Sequence, residues 1–298
     1  LLMPSDKNLV TVACVNFKPA GGDKEGSLER IADFTDQAGQ KGANIILFPE
    51  LALTSMPPDA LLPRVAETIP GPSTEKIAQL AAQLNAYVII GMLERDQKDS
   101  TRIYNAAAVI GPSGVLGSYR KTHPFHPFEN YERGKTFPLF ETPYGPIGIG
   151  ICYDTYCFPE VCRNYAARGV RLYCNLTAVP CGLQCSDEAD LYMTMLKARS
   201  IENQLFIATA GLVGKERIEQ LGEVTFLGLS VIVGPQAERS SCHVYAGPAD
   251  EVKEEIVMTE LDLSVKSSSP LVANILSHRH PEIYVDFAGA PASDEGKD

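Results

Sequence analysis

The run Gly145-Pro146-Ile147-Gly148-Ile149-Gly150-Ile151 breaks off at Cys152-Tyr153-Asp154, and that break limits what the chain can fold into. Residues 147–151 are apolar and small, as a buried strand requires, and they stop at a cysteine. Pro159 followed by Glu160 suits the first turn of a helix, where a missing N–H costs nothing and an acid meets the positive dipole end. That helix runs toward Gly169, a natural stop. Cys152 therefore stands where a strand hands over to a helix, in a tight turn that presents its thiol. A nucleophile needs such a position, although a cysteine at a strand end also serves as plain core.

Glu50 ends a second strand-like run from Ala43, and Lys121 ends a third region from Gly117. A carboxylate, an ammonium and a thiol, each at the end of its own strand, can converge on one edge of a sheet. Taken singly, Glu50 after Phe48-Pro49 also fits a loop acid, and Lys121 beside Arg120 also fits surface charge.

Phe48-Pro49-Glu50, Tyr119-Arg120-Lys121-Thr122-His123 and Gly150-Ile151-Cys152-Tyr153-Asp154 with Phe158-Pro159-Glu160 resemble the three signatures of the nitrilase, or carbon–nitrogen hydrolase, superfamily. Their order and wide separations match as well, over roughly residues 8–264, with residues 265–298 as a C-terminal extension. The segment Lys121 to Glu129 further resembles the aliphatic amidase and formamidase branch, in which a second glutamate follows the lysine at this spacing. Glu132 lies three residues on and competes with Glu129 for that place.

The 298 residues suffice for two average domains or one large α/β domain. A formal charge of −11 works against non-specific nucleic-acid binding, which needs a basic surface. No stretch approaches the roughly 18 consecutive apolar residues of a membrane span, and residues 1–6 lack the parts of a signal peptide. The eight cysteines fit reduced thiols better than four disulfides, because Cys14, Cys162 and Cys174 sit in core-like elements of a chain too large to need staples. Cys181 and Cys185 have no histidine cluster beside them, so neither a metal nor a cofactor is expected. The expected setting is a reducing cytoplasm.

Along the chain, residues 9–17 form a strand, and Ser27 can cap a helix with Leu28, Ile31, Phe34 and Ala38 inward. Residues 51–71 hold Pro57, Pro58, Pro63 and Pro70 and form a loop. A helix opens at Ser73, and strands follow at 87–92, 103–110 and 117–121. Beyond the cysteine come a strand at 170–176 and a helix at 187–204 with Leu191, Met195, Ala198 and Ile201 on one face, most simply core. Strands at 205–213, 225–233 and 256–263 complete the chain, and residues 286–298 are expected to fray. Asp154 and Arg163 look structural, the arginine placed to pair with Glu160, and Cys157 and Cys162 look like helix packing.

Periodicity supports a large single α/β domain. The resemblance implies more: a four-layer α-β-β-α sandwich, joined through helix faces into a homodimer or a larger even assembly. It implies Cys152 as nucleophile forming a thioester, Glu50 as proton carrier, and Lys121 with the backbone N–H of Tyr153 at the oxyanion. Glu129 would orient the lysine and substrate. Pocket walls are expected from residues 51–71, from the aromatic run Phe125 to Tyr131, and from Thr177 to Cys185. His123 and His126 offer a competing Cys–His pairing, but the prolines beside them suit a structural loop. The expected reaction is hydrolysis of small uncharged amides to acid and ammonia, since Tyr153-Asp154 stands where nitrilases of the family carry Trp-Glu. Thr155 and Tyr156 stand where its carbamoylases carry an arginine. The alternatives are a nitrilase, an N-carbamoyl amino acid hydrolase and a non-catalytic scaffold.

Overall fold

The computed structural model describes residues 8–126, 128–181, 185–219 and 222–284; the side chains of residues 185 and 186 lie outside the description. The chain-end segment expected to fray therefore falls outside it, as do residues 182–184 of the third expected wall. In chain order the elements are β1 (Leu9–Asn16), α1 (Lys24–Gln40), β2 (Ile45–Leu47), α2 (Leu62–Val65), α3 (Pro72–Leu84), β3 (Tyr87–Arg95), β4 (Ile103–Gly111) and β5 (Gly114–Arg120). Then follow β6 (Ile147–Ile151), α4 (Tyr153–Cys157), α5 (Pro159–Ala167), β7 (Leu172–Thr177), β8 (Pro180–Cys181) and α6 (Cys185–Asn203). The last are β9 (Phe206–Gly211), β10 (Val213–Ile218), β11 (Gly222–Leu227), β12 (Val231–Gln236), β13 (Arg239–Ala246) and β14 (Glu255–Asp262).

One sheet runs β14-β1-β2-β3-β4-β5 and a second runs β13-β12-β9-β7-β6, with β10-β11-β8 as a small third. In each large sheet a parallel trio is extended by antiparallel strands. The period of two along a strand explains the layering. Val10, Val12 and Cys14 of β1 enter the core between the sheets, and Ala13 and Val15 enter the core under α1 and α3. In β7, Leu172, Cys174 and Leu176 face the first sheet while Tyr173 faces the outer helices. A strand buried on both faces reads as an almost unbroken apolar run, and each such Val, Leu or Ile stabilises the fold by about 1.5–3 kcal/mol. The result is a single domain of four layers, α-β-β-α.

Several local expectations are corrected. Helix α1 is capped by Asp23, whose carboxylate accepts from the Gly26 N–H. Ser27 is instead buried inside the helix and accepts from the Ala20 N–H. The strand expected at 225–233 is two strands, because Gly228 and Leu229 take positive φ and turn the chain between sheets. On α6 the buried residues are Tyr192, Leu196, Arg199, Ser200 and Asn203. Leu191 is 57% exposed, so the expected face is rotated away from the core. Arg163 makes no ion pair with Glu160; its Nη1 is buried without a hydrogen-bond partner. Cys14, Cys152, Cys157, Cys162, Cys174 and Cys242 are free thiols. Cys181 is disulfide-bonded, and it lies on short β8, half-buried rather than in the core.

Candidate functional site

Strand β6 lies at one edge of its sheet and β5 at one edge of the other. The ends of these strands, with the turn after β2, meet around one cavity. Cys152 follows β6 with φ 47° and ψ −100°, a conformation that costs a non-glycine residue about 1–3 kcal/mol unless neighbours hold it. Its N–H donates to the Leu176 carbonyl at 2.8 Å, and its own carbonyl accepts from the Thr155 and Tyr156 N–H groups. Arg199 of α6 secures the same turn by donating to the carbonyls of Thr155 and Tyr156. Gly150, two residues earlier, admits Tyr173: a Cβ there would lie 1.7 Å from the Tyr173 hydroxyl oxygen.

Glu50 sits in the turn after β2, and that turn crosses β3 at Gly91 so closely that a Cβ would meet the Pro49 carbonyl at 2.2 Å. Lys121 follows β5 and stays paired through its N–H to the Asn105 carbonyl. Its Nζ lies 2.7 Å from Glu50 Oε1, and 3.0 and 2.8 Å from Glu129 Oε1 and Oε2. All three residues are buried. Glu129, not the exposed Glu132, is thus the acid that faces the lysine. Glu129 also accepts from the Phe125 N–H, and Glu50 Oε2 accepts from the Ala178 N–H of the other sheet's chain.

Asn105 completes the cluster, and sequence reasoning missed it. Its Nδ2 donates to Glu50 Oε1 at 2.8 Å and to Glu129 Oε1 at 2.9 Å. The available signal was a lone amide inside β4, a strand buried from end to end.

The charges set the protonation. Burial raises the Cys152 thiol well above its ordinary value; the Glu50 charge adds to this and the Lys121 ammonium only partly opposes it. Burial also raises the Glu50 carboxyl, with Lys121 pulling it back and Glu129 pushing it up again. For Lys121 burial acts downward, yet the carboxylates of Glu50 and Glu129 outweigh it and hold the ammonium charged. The resting site is a neutral thiol beside a paired lysine.

The cavity measures about 280 Å³, and Glu50, Lys121, Glu129 and Cys152 all line it. Met56, Phe125 and Ala178 to Pro180 come from the three expected walls. A further wall was not foreseen: Glu188, Leu191, Tyr192 and Met195 from α6, with Ile218 and Phe226 from the small sheet. Cys157, expected in helix packing, is exposed and lines this cavity. Thr177 is buried beside the Cys152 thiol, to which it is hydrogen-bonded, and its hydroxyl accepts from the Tyr156 hydroxyl at 3.2 Å. Tyr131 lines a second hollow of about 440 Å³ with His123, His126 and Arg133. His123 pairs there with Asp154 and stacks on Phe158, so it is directed away from a Cys–His dyad.

Known proteins bear on this arrangement. The family model described as carbon-nitrogen hydrolase matches residues 11–269. A probable nitrilase of Schizosaccharomyces pombe is 32% identical over 281 residues, 92% of this chain and 96% of that protein. The omega-amidase NIT2 of Xenopus tropicalis is 31% identical over 272 residues, 88% of this chain and 92% of that one. Among solved structures, a nitrilase-superfamily amidase of Nesterenkonia AN1 aligns with a TM-score of 0.77 at 23% identity, over 96% of this chain and 100% of that chain. That last likeness is one of fold.

Proposed function

The chain belongs to the carbon–nitrogen hydrolase family, and within it we propose an amidase that cleaves small uncharged amides through a thioester on Cys152. The observation that carries this is the convergence of a thiol at a strained strand end with a buried lysine shared between two carboxylates. Cys152 Sγ attacks the amide carbonyl carbon while its proton passes to Glu50. The raised Glu50 carboxyl is matched to this exchange, since a proton carrier works best near the operating pH. An ammonium has three donors. Glu50 Oε1 takes one and the two Glu129 oxygens share another, which leaves the third for the developing oxyanion. The N–H of Tyr153, first in α4 and without an intrahelical acceptor, is the second oxyanion donor. As the C–N bond breaks, Glu50 returns the proton to nitrogen and ammonia leaves. Water then gives a proton to Glu50, attacks the thioester carbon and releases the acid, and the thiol regains its hydrogen.

Intact mass after mixing with an amide tests this reading. Wild-type protein should gain the acyl mass on Cys152 during turnover, and Cys152→Ala should gain none. A soluble Cys152→Ala variant that keeps more than about a tenth of the activity would overturn the assignment.

A further inference from the structure

Cys152 and Lys121 belong to different sheets, and no strand ladder joins β5 to β6. Their relative position must be fixed by something else. We propose that Asp154 is the positioning residue of this site, a carboxylate clamp that ties the strand end carrying the nucleophile to the strand end carrying the lysine. This rests on the catalytic assignment above and adds a residue to it.

The Asp154 carboxylate is wholly buried and faces donors from both sides of the seam. Oδ2 accepts from the Ile151 N–H at 3.1 Å, one residue before Cys152, and from the Tyr119 hydroxyl of β5 at 2.8 Å, two residues before Lys121. Oδ1 accepts from the Thr122 hydroxyl at 2.9 Å and the His123 N–H at 3.0 Å, both just after Lys121, and His123 Nδ1 lies 2.8 Å away. Each reacting residue is thus bracketed by groups held on one carboxylate. A second hydrogen bond across the seam among the described residues, from the Ala178 N–H to Glu50, involves a group that must change its proton during turnover. Asp154 takes no part in the chemistry and can hold the geometry through every step. A misplacement of about 1 Å in such a site costs on the order of a hundredfold in rate.

The decisive variant is Asp154→Asn. Whichever way its amide turns, an NH2 meets N–H or O–H donors where a carboxylate oxygen had accepted them. The expected result is a kcat lowered about a hundredfold with KM changed less than about threefold. Alkylation of Cys152 by iodoacetamide, followed by intact mass at one pH, should slow as well, because the ammonium no longer sits fixed beside the sulfur. Thr122→Val and Tyr119→Phe each remove one tie and carry the test if Asp154→Asn does not fold. A fall of about threefold or more in kcat or alkylation rate in either supports the clamp. Thr35→Val, which removes a buried hydroxyl bond inside α1, should leave both rates unchanged. Folded variants with reduced melting temperature but both rates within threefold of wild type would overturn the proposal. If the wild-type protein turns over no amide, the amidase reading fails, and the alkylation arm still decides the clamp.

Discussion

At the scale of single residues, the site is a problem in sharing few positive charges among several oxygens. Lys121 is the one cation lining the cavity among the described residues, and two carboxylates and a thiol surround it. With burial as the main cause and Glu50 as the second, the thiol is pushed upward, so at neutral pH little thiolate exists. Below its raised value the thiolate fraction grows about tenfold per pH unit. Alkylation of Cys152 by a small neutral reagent should therefore keep rising beyond pH 8. A plateau already reached near pH 6 would show that the lysine overrides burial. Asn105 makes a separate prediction, because its amide hydrogens are divided between Glu50 and Glu129. Hydrogen bonds to charged groups are worth about 1.5–3 kcal/mol each. Asn105→Leu should lower kcat about ten- to a hundredfold with a small change in KM. A folded Asn105→Leu protein with wild-type kcat would remove the residue from the site.

The elements place these residues by close approach. Gly91 in β3 leaves the space that the Glu50 turn occupies, and a methyl there would press on backbone atoms of Pro49, Glu50 and Leu51. Overpacking of this kind costs about 1–3 kcal/mol of stability. Gly91→Ala should therefore lower the melting temperature and reduce kcat further than the loss of folded protein explains, measured per active thiol. Activity per thiol equal to wild type would mean that the turn relaxes without moving Glu50. The parts legible beforehand share one property: they are written in apolar runs and their abrupt ends. β1, β6 and β7 are buried on both faces, so the chain shows them plainly, and Glu50, Lys121 and Cys152 are marked by where the runs stop. β13 alternates polar and half-buried residues along an outer strand and left no comparable trace. The inward face of α6 includes Arg199, Ser200 and Asn203, which satisfy buried carbonyls. A pattern of hydrophobicity therefore picked Leu191 and Met195 instead, and these line the cavity. Asn105 and Asp154 owe their importance to partners brought from distant strands, which no local pattern records.

For the whole molecule, the cavity lies at the seam of two sheets and is walled by Met56, Phe125, Phe128, Leu191, Met195, Ile218 and Phe226, with Glu50, Lys121, Glu129 and Cys152 also lining it. A substrate carrying a carboxylate would bring that charge against Glu50 and Glu129, and Lys121 is already shared between these two acids. The cations that could have relieved this are elsewhere: Arg133 lines the second hollow and Lys135 is exposed. Leaving a carboxylate unpaired in such a place costs several kcal/mol, and about 3 kcal/mol already corresponds to more than a hundredfold in rate. N-carbamoyl amino acids should accordingly be turned over at least about a hundredfold less efficiently than propionamide. Propionitrile should also be turned over less efficiently than propionamide, for a different reason. An amide NH2 offers donors that the paired carboxylates can accept, and a nitrile has none, so the buried acceptors would lose a partner on binding. The measurement is kcat/KM for propionamide, propionitrile and an N-carbamoyl amino acid on one preparation whose active thiols have been counted. Should either the nitrile or the carbamoyl compound exceed propionamide and its longer apolar homologues, the charge and donor pattern of this cavity does not select its substrate.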